Sequence, residues 1–433
     1  MNEFAVMPKY EEYKDTNNFW LGEVPSHWNI KKFKYLASVQ KGKLPRKLTS
    51  LSNGSLPPYL SMDYLRGGLA SQFVGDRDAV IVDEGEVLLL WDGSNSGEFI
   101  KSRRGVISST VASIKYKNID NAFAWYASAV VEKILRSSTI GMGIPHVDGS
   151  ELKNSILALP PKNEQTAIAN FLDQKTAQID EAITTKEKQI ELLKERKQII
   201  VQQAVTQGIS YEGQPDLPMK DSGVDWIGEI PDHWEIFANR VLFAERVEPG
   251  RDELPLLSVS IHSGVSSEEI SEEDNVRGRV KIEDKSKYNA VEPNDIVFNM
   301  MRAWQGAIGA VEVFGMVSPA YIIAAPKKKL SGKFFEYQYR CPEFIQQMDR
   351  YSKGITDFRK RLYWDGFKQL PTIYPPYEEQ LKIVEFINEL TVQTESAIAL
   401  QKQQIEKLKE YKTTLINSAV TGKIKVPEVD SGC

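Results

Sequence analysis

Along residues 164–206, marked positions recur in alternating steps of three and four: Thr176, Ile179, Ile183, Lys186, Ile190, Leu193, Lys197, Ile200 and Ala204. That spacing is the seam of a coiled coil, one narrow apolar stripe along a helix. The stretch holds no Gly and no Pro. Pro160 and Pro161 bar helix before it, and Gly208 supplies a stop just beyond it. At a rise of about 1.5 Å per residue the predicted rod is roughly 65 Å long.

The pattern returns 215 residues later without a gap, over 379–421. Thr391, Thr394, Ile398, Gln401, Ile405, Leu408, Lys412, Leu415 and Ala419 take the same seam positions. The entries match (Pro160-Pro161 with Gln165, Pro375-Pro376 with Gln380), and both copies leave through Ala-Val-Thr. Polar interruptions coincide too, Lys186 with Gln401 and Lys197 with Lys412. A helix with one apolar stripe has to bury it. The simplest partner for each copy is the other, with polar seam residues at matched levels setting the register.

Between the rods a second repeat appears. The motif Trp-x-Gly-Glu-x-Pro-x-His-Trp spans 20–28 and returns at 226–234, shifted by 206. Repetition in both halves points to a shared structural job, a Trp and a Pro that pin a domain to the helical stem. Residues 29–160 then alternate short apolar runs (59–62, 79–82, 86–91, 106–107, 111–114) with turn residues, and 121–135 reads as helix. Residues 235–374 keep that order with other side chains: 256–259 echo 59–62, 291–297 echo 82–88, Val317-Ser318 echo Ile107-Ser108, and 333–351 supply the matching helix. The predicted class is α+β: two mixed, mostly β domains with short helices, joined by two long helices in an internal repeat.

The predicted boundaries follow. A first domain fills 1–160, its first 19 residues a polar leader. A long helix fills 161–208, and 209–234 is linker and repeat entry, where the connector 209–225 is rich in Pro, Gly and acids. A second domain fills 235–374, a second long helix 375–422, and a short loose tail 423–433.

A chain of 433 residues is too long for one core, and 41% hydrophobic with 26% charged is ordinary for a soluble protein. The first residues hold no apolar run, so no signal peptide is expected, and no segment approaches the roughly 20 apolar residues that span a bilayer. Two cysteines, Cys341 and Cys433, argue against a disulfide scaffold and fit a reducing cytoplasm. A net charge of −5 excludes a generic basic nucleic-acid binder. The distribution is uneven: residues 29–160 hold 17 Lys and Arg against 12 Asp and Glu, whereas 235–374 hold 20 of each. Any nucleic-acid role rests on local patches.

Familiar cofactor chemistry is missing. There is no phosphate-cradling G-x-x-x-x-G-K-[ST], no G-x-G-x-x-G after a strand, and the four histidines form no metal-ligand pattern. Tyr374-Pro-Pro-Tyr377 looks like the Asx-Pro-Pro-aromatic loop of adenine methyltransferases. It begins with Tyr, lacks a companion cofactor loop and sits at a helix start, so it is not read as catalytic. No catalytic residue and no metal ligand is predicted.

Clusters of cations with aromatics, hydroxyls and amides in loops are the candidate DNA contacts. In the first domain they are Lys41, Lys43, Arg46 and Lys47, then Trp91, Ser94 and Asn95 leading to Lys101, Arg103 and Arg104, and then Thr139 and His146. In the second they are Arg302, Trp304 and Gln305, and the run Lys353, Thr356, Arg359, Lys360 and Arg361. Arg and Lys neutralise phosphates, while Arg, Asn and Gln can hold base edges in bidentate fashion. The acidic run 268–274 should face away from DNA.

The two tryptophan-histidine motifs, the two Pro-Pro-x-x-Glu-Gln helix entries and the two Ala-Val-Thr exits together resemble the specificity (S) subunit of a type I restriction–modification system, over nearly the whole chain. The resemblance implies two target recognition domains, each reading half of a bipartite, asymmetric double-stranded DNA sequence. It implies an antiparallel coiled coil, a pseudo-twofold arrangement, seats for two DNA methyltransferase (M) subunits, and restriction (R) subunits further out. S-adenosylmethionine, ATP and Mg then belong to those partners and none to this chain. Other classes stay open on the residues alone: a coiled-coil protein–protein scaffold without DNA readout, or a nuclease or methyltransferase with an unfamiliar site.

Overall fold

The computed structural model describes residues 7–50, 55–138, 145–209, 217–261, 263–266, 284–354 and 360–427. Four helices carry the plan: α1 (Asn121–Ser137), α2 (Lys162–Gln207), α3 (Gly332–Tyr339) and α4 (Tyr377–Val420). The chain divides into two compact units, one formed by 1–186 with 403–433, the other by 187–402. Each unit therefore holds the start of one long helix and the end of the other.

In the first unit β1 (Ala37–Lys41), β2 (Val87–Leu90), β3 (Phe99–Lys101) and β4 (Val111–Tyr116) form an antiparallel sheet in the order β1-β4-β2-β3. β2 reads Val-Leu-Leu-Leu, a continuous apolar run, because the sheet is covered on both faces. Leu89 joins a core with Phe123, Val131 and Leu172, while Leu88 and Leu90 join a smaller one with Leu60, Val82 and Ile107.

The second unit repeats the sheet with β5 (Phe243–Glu245), β6 (Ile296–Asn299), β7 (Ile308–Ala310) and β8 (Tyr321–Pro326), in the order β5-β8-β6-β7. Here too the central strand is buried on both sides, Ile296 and Phe298 toward one core and Val297 toward another.

The long helices run antiparallel within each unit. In the first, Lys412 Nζ meets both carboxylate oxygens of Asp180 at 2.7 Å, and Lys186 Nζ donates to Gln404 Oε1. In the second, Lys197 lies 3.9 Å from Glu395. As the α2 number rises its partner's number falls, which fixes the direction. Ile179, Ile190, Ile405 and Leu415 of the predicted seam are buried. Ile183, Leu193, Ile200, Ile398 and Leu408 are half-buried. The polar seam lysines meet acceptors on the neighbouring helix, Lys186 an amide, Lys197 and Lys412 a carboxylate each.

Three segments read as loose are built into the fold. Tyr13–Asp15 pairs with Glu23–Pro25, and Tyr10 meets the Trp28 ring edge-on at 5.7 Å, so 7–19 is not a mere leader. Met219–Asp221 pairs with Glu229–Pro231 in the same way, inside the stretch read as linker. Ile424 and Val426 are buried and Lys425 N donates to Pro8 O at 2.8 Å, so the tail packs as far as 426. These strands are three residues long and largely polar, below what periodicity resolves.

Candidate nucleic-acid interface

Each mixed domain is fixed to the long helix that follows it by the same two side chains. Glu164, in the first turn of α2, accepts from Trp28 Nε1 at 2.7 Å and lies 2.9 Å from His27 Nε2. Glu379, in the first turn of α4, accepts from Trp234 Nε1 at 3.0 Å and lies 2.9 Å from His233 Nε2. Both tryptophans are fully buried, so an indole N–H without an acceptor would carry its whole desolvation cost.

The neighbouring glutamines complete the joint. Gln165 donates to Pro160 O and accepts from Asp120 N, the residue that caps α1. Gln380 donates to Pro375 O and accepts from Ser331 N, the residue that caps α3. Residue by residue this accounts for the Pro-Pro-x-x-Glu-Gln entry and for the His-Trp pair. Lys14 and Lys220 add a further match by donating to the carbonyls of Ser26 and Asp232.

Several of the candidate contacts gather where β2 and β6 finish. In the first unit Lys41 Nζ sits 4.7 Å over the Trp91 ring and 3.8 Å from Asp92. His146 bridges Asp92 through the backbone, so Lys41, Trp91 and His146 come together. Ser94 is exposed and Asn95 half-buried in the turn that follows.

Lys43 and Arg46 line a separate cleft of about 400 Å³ with Asp76 and Asp78. Lys43 is 2.9 Å from Asp78, whose carboxyl is held below its ordinary range by the hydrogen bond to that ammonium. The backbone N–H groups of Arg46 and Lys47 both donate to Asp76. Sequence reasoning missed these two aspartates, Asp76 lying 30 residues from Arg46 and Asp78 35 residues from Lys43 along the chain.

Three further cations are turned elsewhere. Arg103 donates to the carbonyls of Tyr64 and Gly68 and lies over the Tyr64 ring, which makes it a brace of that turn. Lys101 is 5.2 Å over the Trp125 ring on α1. Arg104 is exposed, 3.9 Å from Asp83.

In the second unit two sequence clusters merge into one. Leu362 N donates to Met300 O at 2.8 Å, which brings the end of β6 against the return of the Lys353–Arg361 run. Lys353 and Arg361 close that run with two backbone hydrogen bonds of 2.9 Å. Lys360 reaches Asp349 at 2.8 Å and lies 5.7 Å from the Trp304 ring, and Arg302 and Gln305 are exposed beside it. Thr139, Thr356, Arg359 and the acidic run 268–274 lie outside the described residues.

Among known proteins, residues 25–192 match the family described as the type I restriction modification DNA specificity domain. The chain is 28% identical, over 98% of both sequences, to the type I restriction enzyme MjaVIII specificity subunit of Methanocaldococcus jannaschii. It is 21% identical to the EcoBI specificity subunit of Escherichia coli, over 84% of this chain and 78% of that one. Its fold is similar to a chain in a structure describing complex assembly and conformational transition of the type I R-M system, with a TM-score of 0.62 at 12% identity, covering 92% of this chain and 98% of the other. The crystal structure of the HsdS subunit from Thermoanaerobacter tengcongensis aligns with a TM-score of 0.50 at 14% identity, over 93% and 98%.

Proposed function

We propose that the chain is a specificity subunit of a type I restriction–modification system, as its similarity to such subunits supports, and that each unit reads one half of a bipartite, asymmetric double-stranded DNA target. The long helices seat two DNA methyltransferase subunits, and restriction subunits join further out. The chain performs no bond-making step itself. S-adenosylmethionine, ATP and Mg are held by those partners, whose adenine methylation and ATP-dependent cleavage depend on this chain for their address. The assembly works in the cytoplasm.

One observation carries the reading. The same head is built twice, with the same Glu clamp and Gln joint, while the loop side chains at the two sheet ends differ. Equal scaffolds with unlike faces are what recognition of two unlike half-sites requires. Lys41, Lys43, Arg46 and Lys47 on one head, and Lys353, Lys360 and Arg361 on the other, supply phosphate neutralisation and base contacts.

The test is to express the chain with methyltransferase partners in a host and map methylated adenines across the genome. The expected result is a single motif of two unlike blocks separated by unread bases. An uninterrupted motif, or methylation without sequence preference, overturns the reading. DNA retention insensitive to salt, or absent, favours a protein-only scaffold.

A further inference from the structure

The two heads differ in side chains at a place where their backbone hydrogen bonds match. In the first unit Trp91 N donates to Thr110 O at 2.8 Å and Trp91 O accepts from Val147 N at 2.9 Å. In the second, Met300 N donates to Ala320 O at 3.4 Å and Met300 O accepts from Leu362 N at 2.8 Å. The turn beneath is duplicated as well: Thr110 N donates to Ser108 Oγ and Ala320 N to Ser318 Oγ, each at 3.3 Å. These bonds equate Trp91 with Met300 and Val147 with Leu362. The residues just before that return contact, His146 and Arg361, are therefore equivalent. They stand 215 residues apart, the interval that separates the long helices.

We propose that positions 146 and 361 are the matched specificity-determining positions of the two heads, each reading a base edge. The proposal rests on the DNA-reading function above and deepens it. Backbone bonds hold both positions at the same point of the same ledge, so each side chain meets the same element of its half-site. A phosphate is the same in every sequence and asks for the same cation on both heads. A base edge asks for different chemistry when the half-sites differ, and His against Arg is such a difference. Arg361 is exposed, and its fork suits guanine, whose O6 and N7 accept in parallel. His146 brings an imidazole, and the Asp92 to which its backbone is bridged lies 3.8 Å from the ammonium of Lys41. The ledge on that side thus presents both a donor and an acceptor, and it reads a base pair by a different pattern.

Arg361→His, Arg361→Lys and His146→Arg, each in the full chain with its methyltransferase partners, are tested by selecting bound sequences from randomised DNA. Arg361→Lys keeps the charge and loses the fork. Both substitutions at 361 are expected to cut discrimination for guanine at one base pair of the second half-site about tenfold or more, with the first half-site unchanged. His146→Arg is expected to create a guanine preference at one position of the first half-site only. A uniform loss of affinity with the base preferences intact, or an Arg361→Lys profile identical to the parent's, makes these phosphate contacts and overturns the assignment. If the parent complex itself selects no sequence, the DNA-reading premise fails instead, which separates the two failures. Melting curves that superimpose on the parent's exclude misfolding as the cause of a changed profile.

Discussion

Glu164 and Glu379 show how much one side chain can specify. Each carboxylate satisfies a buried indole N–H and meets a histidine, from the first turn of a helix where negative charge is favoured. Glu164→Ala should cost about 1–3 kcal/mol of stability because Trp28 Nε1 loses its acceptor inside the core. Glu164→Gln keeps an acceptor oxygen and should cost less. Urea denaturation of the two variants checks the order, and equal midpoints would remove the clamp from the account. Cys341 offers a second residue-level check. Burial pushes its thiol up to about 12, with Glu343 adding to the shift, and Sγ donates to Tyr337 O. In a Cys433→Ser background, its reaction with a disulfide reagent at pH 8 should run at least about a hundredfold slower folded than unfolded, since the thiolate is the nucleophile. Equal rates would mean the site opens readily.

At the scale of elements the stem is the part that packing explains most directly. Leu415 is fully buried in the core of the first unit, so Leu415→Ala should cost about 2–5 kcal/mol. Leu193 is half-buried and should cost less when truncated, a difference that thermal melts of the two variants resolve. The same contrast explains what was legible in the chain. A seam of nine positions over some forty residues averages out local exceptions, so the rods and their duplication stand out in the sequence. The Glu-Gln entry was visible as a repeat, but its reason was not, because Trp28 and Asp120 lie 136 and 45 residues from their partners. Tyr13–Asp15 and Met219–Asp221 were invisible because a three-residue strand has no period to detect. Residue type picks out cations and aromatics, yet type alone does not separate Arg103, which braces a turn, from Arg361, which is exposed, or foresee that Lys41 and Lys101 end strands. The equivalence of 146 and 361 was within reach, since their interval equals that of the helices, but it carries meaning only once the backbone bonds at Trp91 and Met300 are known.

For the whole molecule, duplicated heads with unlike ledges imply a target of two unlike halves, and two long helices that each pass through both units make the gap between those halves a testable property of the helices. The two can be separated. Four residues inserted after Lys194, matched by four after Ala397, lengthen both helices by about 6 Å and turn them by about 40° relative to an unbroken seam. With base pairs stacked at about 3.4 Å, the gap between the methylated half-sites should grow by one or two base pairs. The sequences of the halves should stay as they were, because no ledge residue has changed. Methylation mapping in a host that carries the lengthened chain gives both quantities from one data set. An unchanged gap with normal methylation would mean that spacing is set by the partner subunits. Altered half-site sequences would mean that the helices take part in reading and do not merely measure.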